Sequence, residues 1–398
     1  MSHIATTPRR PRPHRLAATL ALAPVAARAE EEAAEPGLLS DIPAGFTLTP
    51  NDAPYSFRTG VLSQSLATEQ WSGPLSDTHA ERLTQLRFRT IFELRSAPRP
   101  SGAFTRAFFQ MEWIASPNLL DAELELRWSP AVGVMFGRYR SFFSRGWRTP
   151  LPALMAPGRG EALDAFRPER AFGATVFGEL LDHKLEYAVS VQDMGAVDAK
   201  APRVPLYIAH ASFNPLGPTP YTQTPWFGEV SDLRVAVGGS AMLKQRGRVS
   251  THTDERTLGA ALTALHPSFA WISEAFDGDL RSTSSTPDAP ARVEGRGLYT
   301  QVGVPLIARA LDLQGRYGVI KARRLNGADL RLDARQVVEG SLGYYLAGNR
   351  AKLVLHYQRA EGVDPTALTP AALASLAAAP AAPPVEHRVE VFAQLMAW

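Results

Sequence analysis

From Leu120 to Trp128 the chain reads LDAELELRW, alternating apolar and charged residues without a break. Asp121, Glu123, Glu125 and Arg127 share one face, and Ala122, Leu124, Leu126 and Trp128 share the other. Side chains of a strand point alternately to its two sides, so this segment has one wet face and one apolar face. The pattern recurs down the chain at lengths near the ~9–11 residues that a tilted strand needs to cross a bilayer once. No run of about 18 apolar residues follows the N-terminal region, which argues against a helical membrane protein. The alternation predicts an all-β transmembrane antiparallel β-barrel. A soluble β-protein of this length is the competing reading.

The N-terminus reads as an export signal. Arg9, Arg10, Arg12 and Arg15 precede a short apolar run, Leu16 to Ala27, and Ala27-Arg28-Ala29 places small residues where a signal peptidase reads them. Residues 1–29 are therefore expected to be removed, with 30–54 a short periplasmic segment and 55–398 the barrel. Residues 1–29 hold five arginines and no acid, so their loss takes the formal charge from +3 to −2. The basic pI then gives no argument for nucleic-acid binding. Cysteine is absent, which excludes a disulfide framework and cysteine-held metals.

About sixteen strands are predicted: 55–65, 83–95, 104–115, 119–128, 131–140, 171–181, 184–193, 206–214, 233–244, 257–265, 269–277, 298–304, 311–321, 336–346, 351–359 and 388–398. Tight links such as Ser129-Pro130, His266-Pro267 and Ala347-Gly348-Asn349 alternate with long connections such as 140–170, 278–295 and 360–385. Short turns at one end and long loops at the other are the habit of outer-membrane barrels. Two places break this rhythm. Pro215–Val230 is long where a turn is expected, and Ser116–Asn118 is short where a loop is expected. Trp113, Trp128 and Trp271 sit at strand ends, as interfacial aromatics do. The Ala- and Pro-rich tract Thr366–Pro384 suits a surface loop.

Several segments, in this order, resemble the phosphate-selective porin O/P family of Gram-negative outer membranes. They are Gly137-Arg138-Tyr139-Arg140 with Phe142-Phe143; Phe166 to Gly173; Gly340 to Leu346 with Asn349, Lys352 and Tyr357; and the closing Gln394-Leu395-Met396-Ala397-Trp398. The resemblance implies a sixteen-stranded, usually trimeric porin whose third loop folds into the lumen; no cofactor is expected. It also implies inward-facing Arg138 and Arg140. The chain departs from the family in ending on Trp398 and in carrying arginine where lysine is usual after Gly137. Val389, Val391 and Leu395 alternate out of step with Trp398, so a bulge or late register change is expected in the last strand.

The loop 140–170 takes the in-folded position and brings Arg145, Arg148, Arg159 and Arg167. From the strands, alternation turns Arg87 and Arg89 inward opposite Leu86, Phe88 and Phe92. Arg106 follows Gln110 and Glu112 inward, Arg316 follows Asp312 and Gln314, and Lys352 follows His356 and Gln358. The candidate anion pathway is Arg87, Arg89, Arg106, Arg138, Arg140, Arg145, Arg148, Arg316 and Lys352. Guanidinium groups suit oxyanions because their planar fork of donors matches the oxygens and keeps its charge. Acids on the same faces oppose this reading: Glu93, Glu112, Asp121, Glu123, Glu125, Glu179, Glu186, Glu274 and Glu339 could neutralise much of the lining. The expected function is passive diffusion of small anions, phosphate among them, across the outer membrane. The alternatives are a general diffusion porin and a plugged, non-conducting barrel. The histidines show no metal-ligand spacing and no GxSxG elbow occurs, so no catalytic residue is nominated.

Overall fold

Strands with one apolar face leave backbone donors and acceptors at each edge, and in a bilayer only a closed sheet pairs them all. The computed structural model describes residues 46–48, 54–72, 78–193, 205–248, 251–283, 292–326, 328–362 and 385–398. They form a closed, antiparallel barrel of sixteen strands. A short strand, β1 (Phe46–Leu48), precedes the barrel strands β2 (Tyr55–Ser72), β3 (Thr78–Ser96), β4 (Phe104–Glu112), β5 (Asn118–Ser129), β6 (Val132–Tyr139), β7 (Ala171–Leu180), β8 (Leu185–Asp193) and β9 (Pro205–Phe213). The wall continues with β10 (Arg234–Arg248), β11 (Thr251–His266), β12 (Phe269–Thr283), β13 (Arg292–Ile307), β14 (Leu311–Asn326), β15 (Ala328–Ala347), β16 (Ala351–Glu361) and β17 (Val385–Ala397). Each strand pairs with its chain neighbour, and β17 closes on β2 from Glu386↔Ser72 to Ala397↔Val61. Where β17 stops, β1 takes over the same edge with Phe46 opposite Thr59.

All sixteen predicted strands are present, and many run further than the apolar alternation does. β15 has 20 residues while β6 has 8, so the wall is tall over β10–β15 and low over β4–β9. The expected loop 278–295 contracts because charged pairs carry the ladder into water. Arg292 reaches Asp279 at 2.9 Å and Arg296 reaches Asp277 at 2.9 Å. The expected leader 1–29 and the tract Thr366–Pro384 lie outside the described residues, as does most of 30–54.

The outer face carries exposed Leu124, Phe136, Val189, Leu258, Leu313, Leu355 and Val391. So much apolar surface in a continuous band fits a lipid environment. Exposed aromatics ring it near both ends, with Trp113, Phe172, Tyr207 and Tyr357 on the long-loop side. Trp128, Phe213, Trp271 and Tyr344 lie on the short-turn side.

The last strand corrects an expectation. β17 pairs with both neighbours without a register shift, so no bulge realigns Trp398. Val391 and Leu395 face out, Gln394 faces in, and Trp398 follows Gln394 to the inside. Its ring lies over Gly60, with the Arg58 guanidinium 4.7 Å from the ring centroid and Phe108 edge-on at 6.3 Å. A Cβ at Gly60 would stand 2.8 Å from the ring and collide with the Ala397 carbonyl. Gly60→Val should therefore open the β2–β17 seam and lower the fraction of folded, heat-resistant barrel on electrophoresis. Native-level folding of this variant would disprove that role for Gly60.

Candidate functional site

Between β6 and β7 the chain turns inside the barrel rather than over it. This third long connection holds a single helical turn α1 (Arg145–Arg148), a 3-10 turn (Leu151–Ala153) and a short helix α2 (Glu161–Phe166). Ser144 caps α1, its hydroxyl accepting from the Trp147 N–H at 3.1 Å. Apolar burial holds the loop to the wall. Phe143, Trp147 and Leu163 pack against Leu206, Ile272, Phe276 and Tyr299, and Phe276 stacks between Phe143 and Phe166.

Polar anchors then fix the loop's position. Glu274 accepts from Gly146 N–H at 2.8 Å and from Ser144 at 3.1 Å. Arg335 forks onto Glu161 at 2.9 and 3.1 Å. Arg316, paired with Glu339, donates to the Gly158 carbonyl at 3.0 Å. Lys352 donates to the carbonyls of Pro152 and Leu154. A buried polar group without partners is costly, so these contacts select one loop position rather than many.

The nine predicted pathway residues separate into three groups. Arg145, Arg316 and Lys352 are buried, at 3%, 5% and 1% exposure; Arg316 and Lys352 donate to carbonyls of the loop and Arg145 to the carbonyls of Thr219 and Pro220. Arg138 is a correction. It pairs in register with Ala122 and Phe172 and shares the outer face with Phe136, so it does not enter the lumen. The register through Gly137 is continuous, which carries the Val134–Phe136 alternation on to Arg138. The other five, Arg87, Arg89, Arg106, Arg140 and Arg148, lie inside the barrel on β3, β4 and the loop.

Their charge balance differs from one to the next. Arg89 is paired with Glu112 at 2.7 Å, and Arg106 with Glu93 at 2.5 Å and Glu123 at 2.8 Å. Arg170, outside the predicted pathway set, forks onto Asp121 at 2.7 and 3.2 Å. Arg127 lies 3.6 Å from both Glu125 and Glu179. The acids of the lining thus neutralise many of its arginines. Four are left to uncharged acceptors. Arg87 donates to the Gln64 amide oxygen at 2.8 Å, and Gln64 in turn donates to Gln394 at 2.6 Å. Arg140 donates to the Trp147 and Thr149 carbonyls, each at 3.1 Å. Arg159 donates to the Gly146 carbonyl at 3.1 Å and to Thr149 at 2.6 Å. Arg148 donates to the Arg140 carbonyl at 3.2 Å and lies 3.7 Å from the Phe142 ring centroid.

The carbonyls at the end of α1 have no helical partners, and guanidinium groups collect on them for that reason. Trp147 extends the cluster, with Arg140, Arg159 and Arg167 at 5.1, 5.2 and 4.4 Å from its ring centroid. Burial, helped by Arg87, Arg170 and Arg167 and opposed by Asp164, pushes Arg159 down to about 9. It still carries its charge at neutral pH. Nothing in a run of arginines distinguishes one held by a carboxylate from one held by a carbonyl, so the sequence could not sort them.

The chain matches no protein-family model and no curated protein. Solved structures do resemble it. Outer-membrane expressed OmpT of Vibrio cholerae superposes with a TM-score of 0.61 at 11% identity, covering 89% of this chain and all (100%) of that one. An in-vitro folded trimer form of OmpT gives 0.57 at 10% identity, with 87% and 100% covered. The anion-selective porin from Comamonas acidovorans gives 0.56 at 11% identity, with 86% and 99% covered. At such identities the likeness is one of fold: a porin-like barrel spanning nearly the full length of each neighbour.

Proposed function

We propose that this protein is an outer-membrane porin, a water-filled channel for passive diffusion of small polar solutes with a preference for anions. The observation that carries the preference is the set of guanidinium groups held by uncharged acceptors. Arg87, Arg140, Arg148 and Arg159 have no carboxylate in ion-pairing range among the described residues. Three of them belong to the loop that narrows the lumen. Unneutralised basic groups at a narrowing lower the energy of an anion and raise that of a cation. Arg89 and Arg106 contribute donors but less net charge. Arg145, Arg316 and Lys352 serve the pathway by holding the loop. Phosphate is a candidate permeant because its oxygens fit the guanidinium fork.

Export through a cleaved leader, contact of the apolar band with outer-membrane lipid, and assembly as a homotrimer complete the proposal. A trimer form of one structural neighbour supports the last. A second reading, a general porin, is favoured by the pairing of Glu93, Glu112, Asp121 and Glu123 with arginines. Planar-bilayer recording of the refolded barrel in a chloride gradient separates the two. A reversal potential on the anion side, with conductance reduced by added phosphate, is expected. Weak selectivity without block would establish the general porin instead.

A further inference from the structure

The connection between β9 and β10 is out of proportion to its neighbours at the same end. Residues 214–233 do there what residues 130–131 do between β5 and β6 and residues 267–268 do between β11 and β12. An exposed loop of that length would be wet and polar on all sides. Here Thr219, Thr222, Gln223, Thr224 and Trp226 are buried, and the run enters the barrel to meet the in-folded loop.

It grips that loop at two points. The Gln223 N–H donates to the Ala153 carbonyl at 3.0 Å, and the Gln223 side-chain oxygen accepts from Met155 N–H at 3.1 Å. Trp226 packs with Met155 against Leu265 and Ala270 of the wall. The second grip is on Arg145, whose guanidinium donates to the carbonyls of Thr219 and Pro220 and lies 4.2 Å from the Tyr221 ring centroid. Glu186 on β8 completes this joint. It stands 3.5 Å from Arg145 and accepts from Tyr221 at 2.7 Å and Asn214 at 2.9 Å. The far side is tied down as well, with Asn349 donating to Thr224 at 2.8 Å and Phe227 lying 4.8 Å from Tyr345.

We infer that residues 214–233 are a second constriction element. They form a strap that occupies lumen beside β11, β12 and the β15–β16 turn and locks the loop from the short-turn end. Permeating ions are thereby confined to the passage beside β2–β5, where Arg87, Arg89 and Arg106 stand. The inference rests on the channel reading and deepens it, because the strap decides which wall a solute meets. Its polar groups bind the loop and the wall at many points, so it acts as a fixed filler and not as a moving gate.

Two variants test this, each first shown to fold as a heat-modifiable barrel. One replaces residues 215–230 with a two-residue Asn-Gly turn. The other, Gln223→Ala with Trp226→Ala, keeps the chain length and decides the matter if the shortened chain fails to fold. Conductance follows open cross-section, so the shortened chain should conduct roughly two-fold more or better, with weaker ion selectivity. The double variant should move the same way by less. Unchanged conductance and selectivity in a folded variant would overturn the strap. A silent wild type beside a conducting shortened chain would uphold the strap and overturn the open-channel reading. Silence from both would overturn both.

Discussion

In the anion-preferring channel proposed above, Arg87→Glu is expected to turn selectivity toward cations. Arg87 stands on β3 with an amide as its acceptor, so its charge is not already cancelled. Exchange for glutamate moves the local charge by two units. A unit charge acting at ~8 Å through a medium between protein and water is worth about 1 kcal/mol. After screening at ~0.1 M salt, roughly a ten-fold fall in the anion-to-cation permeability ratio follows. Arg89→Glu is a poorer lever, because Glu112 already faces Arg89 and the added acid would chiefly disrupt that pair. Reversal potentials of the two variants, measured under one gradient, check the contrast. Equal and small shifts would show that Arg87 is not at the selective narrowing.

Glu339→Ala is expected to produce the largest loss of stability. Glu339 and Arg316 are buried together on β15 and β14, at 6% and 5% exposure. Arg316 also donates to the Gly158 carbonyl of the in-folded loop. Removing one partner of a buried pair strands the other charge, at a cost of about 3–5 kcal/mol. Replacing both, as Arg316→Met with Glu339→Leu, leaves no orphaned charge and should cost less. The comparison is read from urea unfolding midpoints of the barrel in detergent micelles. The outcome that contradicts it is a double variant less stable than Glu339→Ala. Selectivity should move less in Glu339→Ala, which keeps the Arg316 bond to Gly158, than in the double variant, which loses it.

Much of the fold was legible because a barrel wall with an apolar outer face and a polar inner one imposes a two-residue period. Phe88 and Phe92 alternating with Arg89 and Ile91 announced the two faces of β3, and burial agrees. The strand ends were less legible. Beyond the apolar band the ladder continues on charged pairs such as Arg292 with Asp279, and such residues read as loop. Trp398 misled for another reason. A terminal aromatic was expected outside, whereas an unbroken register sends it inward over Gly60. Arg138 lies on the outer face because the unbroken register through Gly137 continues the alternation of Val134 and Phe136, against the inward position that the family resemblance implies.

The site was legible only as a list of basic residues. Glu93, Glu112, Asp121 and Glu123 were expected to neutralise part of the lining, and their partners confirm that expectation. Which cations would be left over could not be known. Arg145 and Arg148 differ by three positions in one helical turn. One is clamped under the strap and the other is partly exposed inside the barrel.

By itself, then, the sequence determined a barrel, the number of its strands, the apolar and polar faces of most of them, and an interior rich in arginine. These follow from periodicity, which is local and repeats in every strand. Only the tertiary structure decided which wall residues hold the in-folded loop 140–170, that residues 214–233 enter beneath it, and which arginines are bonded to carbonyls or amides and which to carboxylates. Those outcomes depend on contacts between residues far apart in the chain, such as Gln223 with Ala153 and Met155, or Gln64 with Arg87 and Gln394. No pattern within one strand encodes them.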